Sequence, residues 1–271
     1  MSTGDLDIYY NRGREQNRLT QEAGKLELAR TQEIILRYLP KPPSTVLDIG
    51  GGAGVYALWL AQNGYTVHLV DLMPLHIEQA TKASESQPEN PLASARVGNA
   101  LQLDFPDASA EAILLLGPLY HLTERSQRVR ALREAYRVLK PSGVLIAATI
   151  SRFASFLDGL MRGYLADSHF AELAAQDLVD GQHRNPTQQP GYFTTAYFHY
   201  PSEIQGEVAE AGFEVEATLA VEGPAGFMPN FDGFWNDNTL RERLLNFLRM
   251  VETDPAIIGT TGHLLTVGHK G

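Results

Sequence analysis

Short apolar runs alternate along the chain with segments whose apolar residues recur at helical spacing. Apolar runs of this length, bounded by glycine and proline, are typical of buried strands. Seven such runs occur, at 46–49, 66–71, 93–97, 110–116, 144–150, 213–221 and 264–269. Most of the segments between them, among them 55–61 and 201–212, have helical patterns. This alternation predicts an α/β protein built on a mostly parallel sheet.

A glycine-rich turn follows the first predicted strand. Glycine suits such a turn because some positions need positive φ, and because a side chain would keep the backbone away from a ligand. The helix after the turn offers free N–H groups and a partial positive charge, which favour an anionic or polar ligand group. A dinucleotide fingerprint would need a glycine where Val55 stands, and no G-x-x-x-x-G-K-[ST] sequence occurs. The pattern D-x-G-x-G-x-G over residues 48–54 therefore points to a different ligand.

An acidic residue ends the second predicted strand. Asp71 follows Gly50 by 21 positions, close to the roughly 20 expected of an acid that binds ribose hydroxyls. A carboxylate and two neighbouring hydroxyls make a natural bidentate pair. The sequence therefore predicts that the ligand carries a ribose.

Two later segments, 98–106 and 131–145, complete a resemblance to the class I S-adenosylmethionine-dependent methyltransferases of the small-molecule type. The resemblance covers residues 44–150 well and the rest by pattern. It implies a Rossmann-like, doubly wound, seven-stranded sheet that is mostly parallel, with an antiparallel last strand and helical and aromatic lid insertions. It also implies S-adenosyl-L-methionine as cofactor and S-adenosyl-L-homocysteine as product.

The resemblance assigns the cofactor site residue by residue. Asn99 stands where the family usually has an acid, and its carbonyl oxygen can still accept a hydrogen bond from the adenine amino group. The run after the fourth strand, Leu116–Leu119, departs from the Asn/Asp-Pro-Pro-aromatic pattern, which argues against methylation of DNA bases or glutamine side chains. The predicted cofactor-binding residues are Asp48, Gly50, Gly51, Gly52, Gly54, Asp71, Leu72, Met73, Asn99, Ala100, Leu116 and Gly117.

The acceptor side is less constrained, because methyl transfer does not require a dedicated catalytic residue. His121 and His199 are candidate general bases, since an imidazole titrates near neutral pH; each has the alternative of a packed structural histidine. The candidate substrate and lid residues are Tyr10, Arg18, Tyr120 and Tyr197.

Three segments are predicted along the chain. Residues 1–150 would supply N-terminal helices and the cofactor-binding half, and 151–200 a substrate lid that contains a polar loop at 181–191. Residues 201–271 would complete the domain around an apolar insertion at 223–254.

Composition narrows the partners. The 271 residues carry a net charge of −10, which argues against a nucleic-acid partner. There is no cysteine, so thiolate metal sites are excluded, and no metal is predicted. The polar first residues and the lack of a long apolar run predict a cytoplasmic protein without a signal peptide or membrane span. The oligomeric state is left open.

Two other functions compete with methyl transfer. One is a non-catalytic protein that binds the same cofactor as a sensor or partner subunit. The other is a nicotinamide-dependent oxidoreductase, which Val55 disfavours.

Overall fold

The computed structural model describes residues 19, 21, 23–186 and 189–271. In this part of the chain the strands are β1 (Thr45–Ile49), β2 (Thr66–Asp71), β3 (Ser94–Val97), β4 (Ala110–Leu115), β5 (Leu139–Ser151), β6 (Gln182–His183), β7 (Ala196–His199), β8 (Glu214–Ala220) and β9 (His263–His269). The α-helices span Gly24–Tyr38, Val55–Gln62, Pro74–Glu85, Pro118–His121, Arg125–Val138, Ala154–Arg162, Ser168–Asp180, Pro201–Glu210, Phe231–Trp235 and Asn238–Val251.

The predicted fold class is confirmed. The main sheet has the order β3-β2-β1-β4-β5-β9-β8 and is mostly parallel, with antiparallel pairing at its end. Strand β1 pairs in parallel with β2 on one side and β4 on the other. The central strands are buried on both faces, which explains why they are continuous apolar runs in the sequence. Two short strands, β7 and β6, extend from the last residues of β5.

The described chain divides into two compact units. The first contains residues 35–148, 205–217 and 266–271, and we call it the glycine-turn unit. The second contains 149–204, 218–265 and the described residues up to 34, and we call it the insertion unit. Because each unit combines distant segments, the three consecutive segments expected from the sequence stay a prediction.

A buried ion pair lies within the glycine-turn unit. Arg128, on the helix Arg125–Val138, binds the carboxylate of Glu207 through Nε at 2.9 Å and Nη2 at 2.7 Å. Its Nη1 also donates to the backbone oxygens of Leu122 and Thr123. The arginine therefore has partners for all its nitrogens although it is 1% exposed, which is the condition for a charged group to be buried without large cost.

The fifth strand is longer than the sequence indicates. A strand is expected from residue 144, but β5 begins at Leu139. Leu139 pairs with Ala110 of β4. Residues 142 and 143 pair with Lys270, because the Ser142 amide donates to the Lys270 oxygen at 2.7 Å and the Lys270 amide to the Gly143 oxygen at 3.0 Å. The Lys270 ammonium also donates to the backbone oxygens of Tyr136 and Leu139.

The prediction of a loop over residues 181–191 is partly wrong. Gln182 and His183 form strand β6, which pairs with Tyr197 and Ala196 of β7. The His183 ring stacks on Phe198, with centroids 4.7 Å apart and planes 11° apart, and its Nδ1 lies 2.8 Å from the buried Asp177 carboxylate. These contacts fix the first residues of the segment.

Candidate functional site

The turn after β1 adopts the backbone that its glycines predict. Gly50, Gly52 and Gly54 have φ of +72°, +56° and +88°, a region that other residues enter only with strain. The Gly50 amide donates to the Val70 oxygen at 2.6 Å, so the turn is anchored on β2. The turn is therefore held to the sheet by a backbone hydrogen bond.

The glycines serve two different purposes. A Cβ on Gly50 would lie 2.5 Å from Pro118 Cγ, and one on Gly51 would overlap the Asp48 carboxylate and lie 2.8 Å from Leu69 Cδ1. At Gly50 and Gly51 the protein itself therefore occupies the space that a side chain would need. A Cβ on Gly52 would meet nothing within 4 Å. Gly52 is thus the position at which the turn faces open space and a ligand can approach the backbone.

Asp48 is buried beneath this turn with no exposed surface. No hydrogen bond of ordinary geometry reaches either of its carboxylate oxygens from the described residues. Burial raises the pKa of Asp48 from 3.8 to about 7, and the charge of Asp71 adds to the rise, while the Ala57 amide opposes it. The role expected of Asp48, support of the turn and of the cofactor's ammonium region, stays a prediction.

Asp71 ends β2 beside the same turn. Its Oδ2 accepts from the Gly52 amide at 2.9 Å and its Oδ1 from the Met73 amide at 2.9 Å. His76 Nδ1 lies 3.0 Å from Oδ1. The acid predicted to bind a ribose is therefore linked directly to the glycine that faces open space.

The expected adenine-side residues follow β2 and β3. Asp71 pairs with Val97 in the parallel ladder, and the Gly98 amide donates to the Asp71 backbone oxygen at 2.9 Å, so Asn99 lies close to that strand end. The Asn99 side chain is exposed, and its Oδ1 accepts from the Leu101 amide at 2.9 Å. A carbonyl oxygen has two lone pairs, and the expected hydrogen bond from an adenine amino group to the second one stays a prediction. Leu72 is exposed, while Met73 and Ala100 are half-buried.

The segment after β4 borders the turn from the other side. A Cβ on Gly117 would lie 3.0 Å from the Gly50 backbone oxygen. Leu116 precedes it and is half-buried. Tyr120 and His121 follow on the short helix Pro118–His121, both half-buried, with ring centroids 4.7 Å apart. The structure thus brings these predicted residues onto one segment in contact with the glycine turn.

The other acceptor-side candidates belong to the insertion unit. His199 is fully buried, and its ring packs edge-on against Tyr197 with centroids 4.7 Å apart. The Tyr197 hydroxyl donates to Glu203 at 3.2 Å and accepts from Arg152 at 3.2 Å. The predicted roles of His199 and Tyr197 toward the methyl acceptor stay predictions. Tyr10 and Arg18 lie outside the described residues.

Sequence reasoning missed a buried group in the insertion unit. His263 Nδ1 lies 2.6 Å from Glu222 Oε1 and 3.7 Å from Glu27 Oε2. Glu222 also accepts from the Thr261 hydroxyl and the His263 amide. Although burial opposes it, the charge and hydrogen bonds of His263 lower the Glu222 pKa to about 2. Among the described residues this is the group whose donor atoms could converge on a metal, but the histidine and Glu222 already satisfy one another as a charge-assisted hydrogen bond.

Sequence reasoning also missed His76. Glu222, the partner of His263, comes from a separate chain segment. Asp71 is near His76 in the sequence, but the contact between them depends on the rotamer of His76. No short motif marks such contacts, and the only signal in the sequence is five-residue proximity between Asp71 and His76.

Comparison with known proteins agrees with this geometry. A family model described as a methyltransferase domain matches residues 47–147. The ubiquinone/menaquinone biosynthesis C-methyltransferase of Ruegeria sp. is 27% identical over 180 residues, which cover 65% of this chain and 68% of that protein. The 2-methyl-6-phytyl-1,4-hydroquinone methyltransferase of Synechocystis sp. is 32% identical over 108 residues, 40% of this chain but only 32% of that protein.

A solved structure extends the likeness to most of the chain. A SAM-dependent methyltransferase from Methanosarcina mazei superposes with a TM-score of 0.60 at 20% identity, covering 88% of this chain and 96% of that one. The fold is that of the class I S-adenosylmethionine-dependent methyltransferases, and residues 47–147 match the methyltransferase domain of that class. S-adenosylmethionine, the predicted cofactor, is confirmed as the cofactor of the family that this domain matches.

No helix in the described part of the chain is long and apolar enough to cross a membrane.

Replacing Gly52 with alanine is expected to weaken cofactor binding more than it weakens the fold. The new methyl group would point into the open space where the ligand approaches, while its left-handed backbone costs about 1–2 kcal/mol of folding free energy. Gly163 offers a matched control, because it has φ of +76° and a Cβ there also meets nothing within 4 Å. Calorimetry with S-adenosylhomocysteine and thermal unfolding of both variants test this. Equal affinities in the two variants would contradict the assignment of Gly52.

Proposed function

We propose that the chain transfers a methyl group from S-adenosyl-L-methionine to a small-molecule acceptor. The observation that supports it best is the link between the Gly52 amide and Asp71 Oδ2 at 2.9 Å, at the point where the turn faces open space. In this arrangement the open backbone of the turn lies beside the acid that we propose binds the ribose, within one unit. When bound, the cofactor supplies a methyl group that its sulfonium charge has already activated.

The residues of the glycine-turn unit would bind and orient this cofactor. Asp71 would accept hydrogen bonds from the ribose hydroxyls, and Asn99 with Leu72, Met73 and Ala100 would contact the adenine. The backbone from Gly50 to Gly54, supported by Asp48, would hold the methionine part, with Leu116 and Gly117 beside the sulfonium. Because the reaction is an in-line displacement, alignment of donor and acceptor and exclusion of water are the main contributions required of the protein.

The acceptor is proposed from charge and from the relatives. A net charge of −10 opposes binding of a polyanion such as RNA or DNA. Both relatives described above carry names that refer to quinone or hydroquinone compounds. We therefore favour a neutral aromatic acceptor of that kind. Within the glycine-turn unit, His121 is the candidate base and Tyr120 the candidate acceptor contact in this proposal. His199 and Tyr197 are separate candidates in the insertion unit, and Tyr10 and Arg18 are candidates outside the described residues.

Two measurements on the purified chain test the proposal. Calorimetry should show binding of S-adenosylhomocysteine and much weaker binding of NAD. Incubation of S-adenosylmethionine with a panel of substituted hydroquinones, and separately with tRNA, should yield S-adenosylhomocysteine with a hydroquinone only. Tight binding of NAD without the sulfonium cofactor or its product would refute the proposal. Cofactor binding without turnover on any acceptor would favour the non-catalytic sensor instead.

A further inference from the structure

The Asp71 carboxylate is held by three donors from the glycine-turn unit. Two are backbone amides, of Gly52 on Oδ2 and Met73 on Oδ1. The third is a side chain, His76, whose Nδ1 lies 3.0 Å from Oδ1. Asp71 and His76 are 7% and 9% exposed, so this contact is shielded from water.

The direction of the hydrogen bond follows from the partners. An ionised carboxylate can only accept, so His76 Nδ1 must carry the proton and donate it to Asp71. A donor held in a buried position beside a charged acceptor makes a stronger hydrogen bond than one between neutral groups.

Local structure explains how His76 reaches the acid. Pro74 is the first residue of the helix Pro74–Glu85, and Met73 is its N-cap. His76 therefore lies in the first turn, and the His76 amide donates to the Met73 oxygen at 3.1 Å. Side chains on a helix point back toward its N-terminus, which here is the end of β2 and Asp71.

We propose that His76 is a positioning residue for cofactor binding, acting through Asp71. Rotation of a carboxylate about its last bond is weakly restricted in the absence of partners. The two backbone donors each hold one oxygen, and His76 adds a side-chain donor that keeps the carboxylate plane in the same orientation. An acid that is already oriented loses less freedom when the ribose hydroxyls bind. This inference rests on the proposed cofactor role of Asp71.

The test compares His76 variants with and without a donor near Nδ1. His76→Leu removes the donor, His76→Gln moves its amide one bond further out, and His76→Asn returns an N–H close to the position of Nδ1. Calorimetry with S-adenosylhomocysteine should show about tenfold weaker binding for the Leu and Gln variants, the scale of one lost hydrogen bond to a charged group. The Asn variant should keep most of the wild-type affinity.

A second ligand separates positioning from general damage. The 2′,3′-dideoxyribose analogue of S-adenosylhomocysteine lacks the hydroxyls that Asp71 would bind, so the His76 variants and the wild type should bind it equally. His68→Leu is the matched control, since His68 is a half-buried histidine of the same unit whose Nδ1 bonds Ser94 Oγ at 2.8 Å. It should leave affinity for S-adenosylhomocysteine unchanged.

Each outcome decides between the alternatives. If the wild type does not bind S-adenosylhomocysteine, the proposed function itself fails. If the wild type binds and the Leu and Gln variants bind equally well, only the role of His76 fails. The same holds if the variants lose affinity equally for both ligands, because the effect would then not pass through the ribose. Should His76→Leu not fold, the comparison of Gln with Asn carries the test.

Discussion

Replacing Asp48 with asparagine is expected to remove a loss of stability that the wild-type chain shows as pH rises from about 4 to 7. The folded-state pKa of Asp48 is raised to about 7 from 3.8, mainly by burial. In this interval the folded chain keeps a proton that the unfolded chain has released. The free energy of unfolding therefore falls with rising pH by up to about 1.4 kcal/mol per unit.

The contribution of protonated Asp48 to the free energy of unfolding is complete below pH 3.8, and it is lost as the pH rises through 7. Asparagine cannot ionise, so the free energy of unfolding of the variant should lack this slope. By pH 7 the wild type should have lost on the order of 4 kcal/mol of unfolding free energy that the variant keeps. Urea unfolding of both proteins between pH 4.5 and 8, without cofactor, measures it. Asp104→Asn, at an exposed acid of the same unit, is the control. Parallel stability curves for wild type and Asp48→Asn would show that the carboxyl ionises normally in the folded chain.

Replacing Gly50 with alanine is expected to cost about 2–5 kcal/mol of folding stability. The left-handed backbone at φ +72° contributes about 1–2 kcal/mol, and the new methyl group, 2.5 Å from Pro118 Cγ, adds about 1–3 kcal/mol of overpacking. Proline is rigid and cannot rotate out of the way, so the turn or the segment after β4 must shift.

Gly163→Ala separates the two contributions, because it has similar backbone strain with open space around the Cβ. Denaturant unfolding of both variants should show Gly50→Ala less stable by the overpacking part. If the two variants are equally destabilised, the close packing of the turn on Pro118 is not a determinant of stability.

The local part of the fold was predictable from the sequence. The turn at 48–54 and the Pro74 helix start depend on residues within a few positions of one another, and the structure has both. The extension of β5 to Leu139 was not predictable, because residues 139–143 contain a proline and a glycine, a pattern typical of a turn. They join the strand through distant partners: Leu139 pairs with Ala110, and residues 142–143 bond Lys270, more than a hundred positions away.

The residues of the candidate site likewise include some that the sequence predicts and some that it does not. Asp71 was identified because its spacing from the glycine turn is fixed by one strand–helix–strand unit. The Glu222–His263 pair was missed because its members are 41 positions apart and carry no motif. His76 was missed although it is near Asp71, since only its rotamer, which spacing does not specify, makes it a partner.

The pairing of residues 142–143 with Lys270 has a consequence for synthesis of the chain. Domains generally fold as units, from the N-terminus first, while the ribosome is still adding residues. The glycine-turn unit cannot finish in this way, because residues 266–271 belong to it together with 35–148. Its early strands must wait until residues 266–271 are made. Nascent chains stalled before residue 266 should therefore be more sensitive to protease across 35–148 than chains stalled beyond a linker after 271.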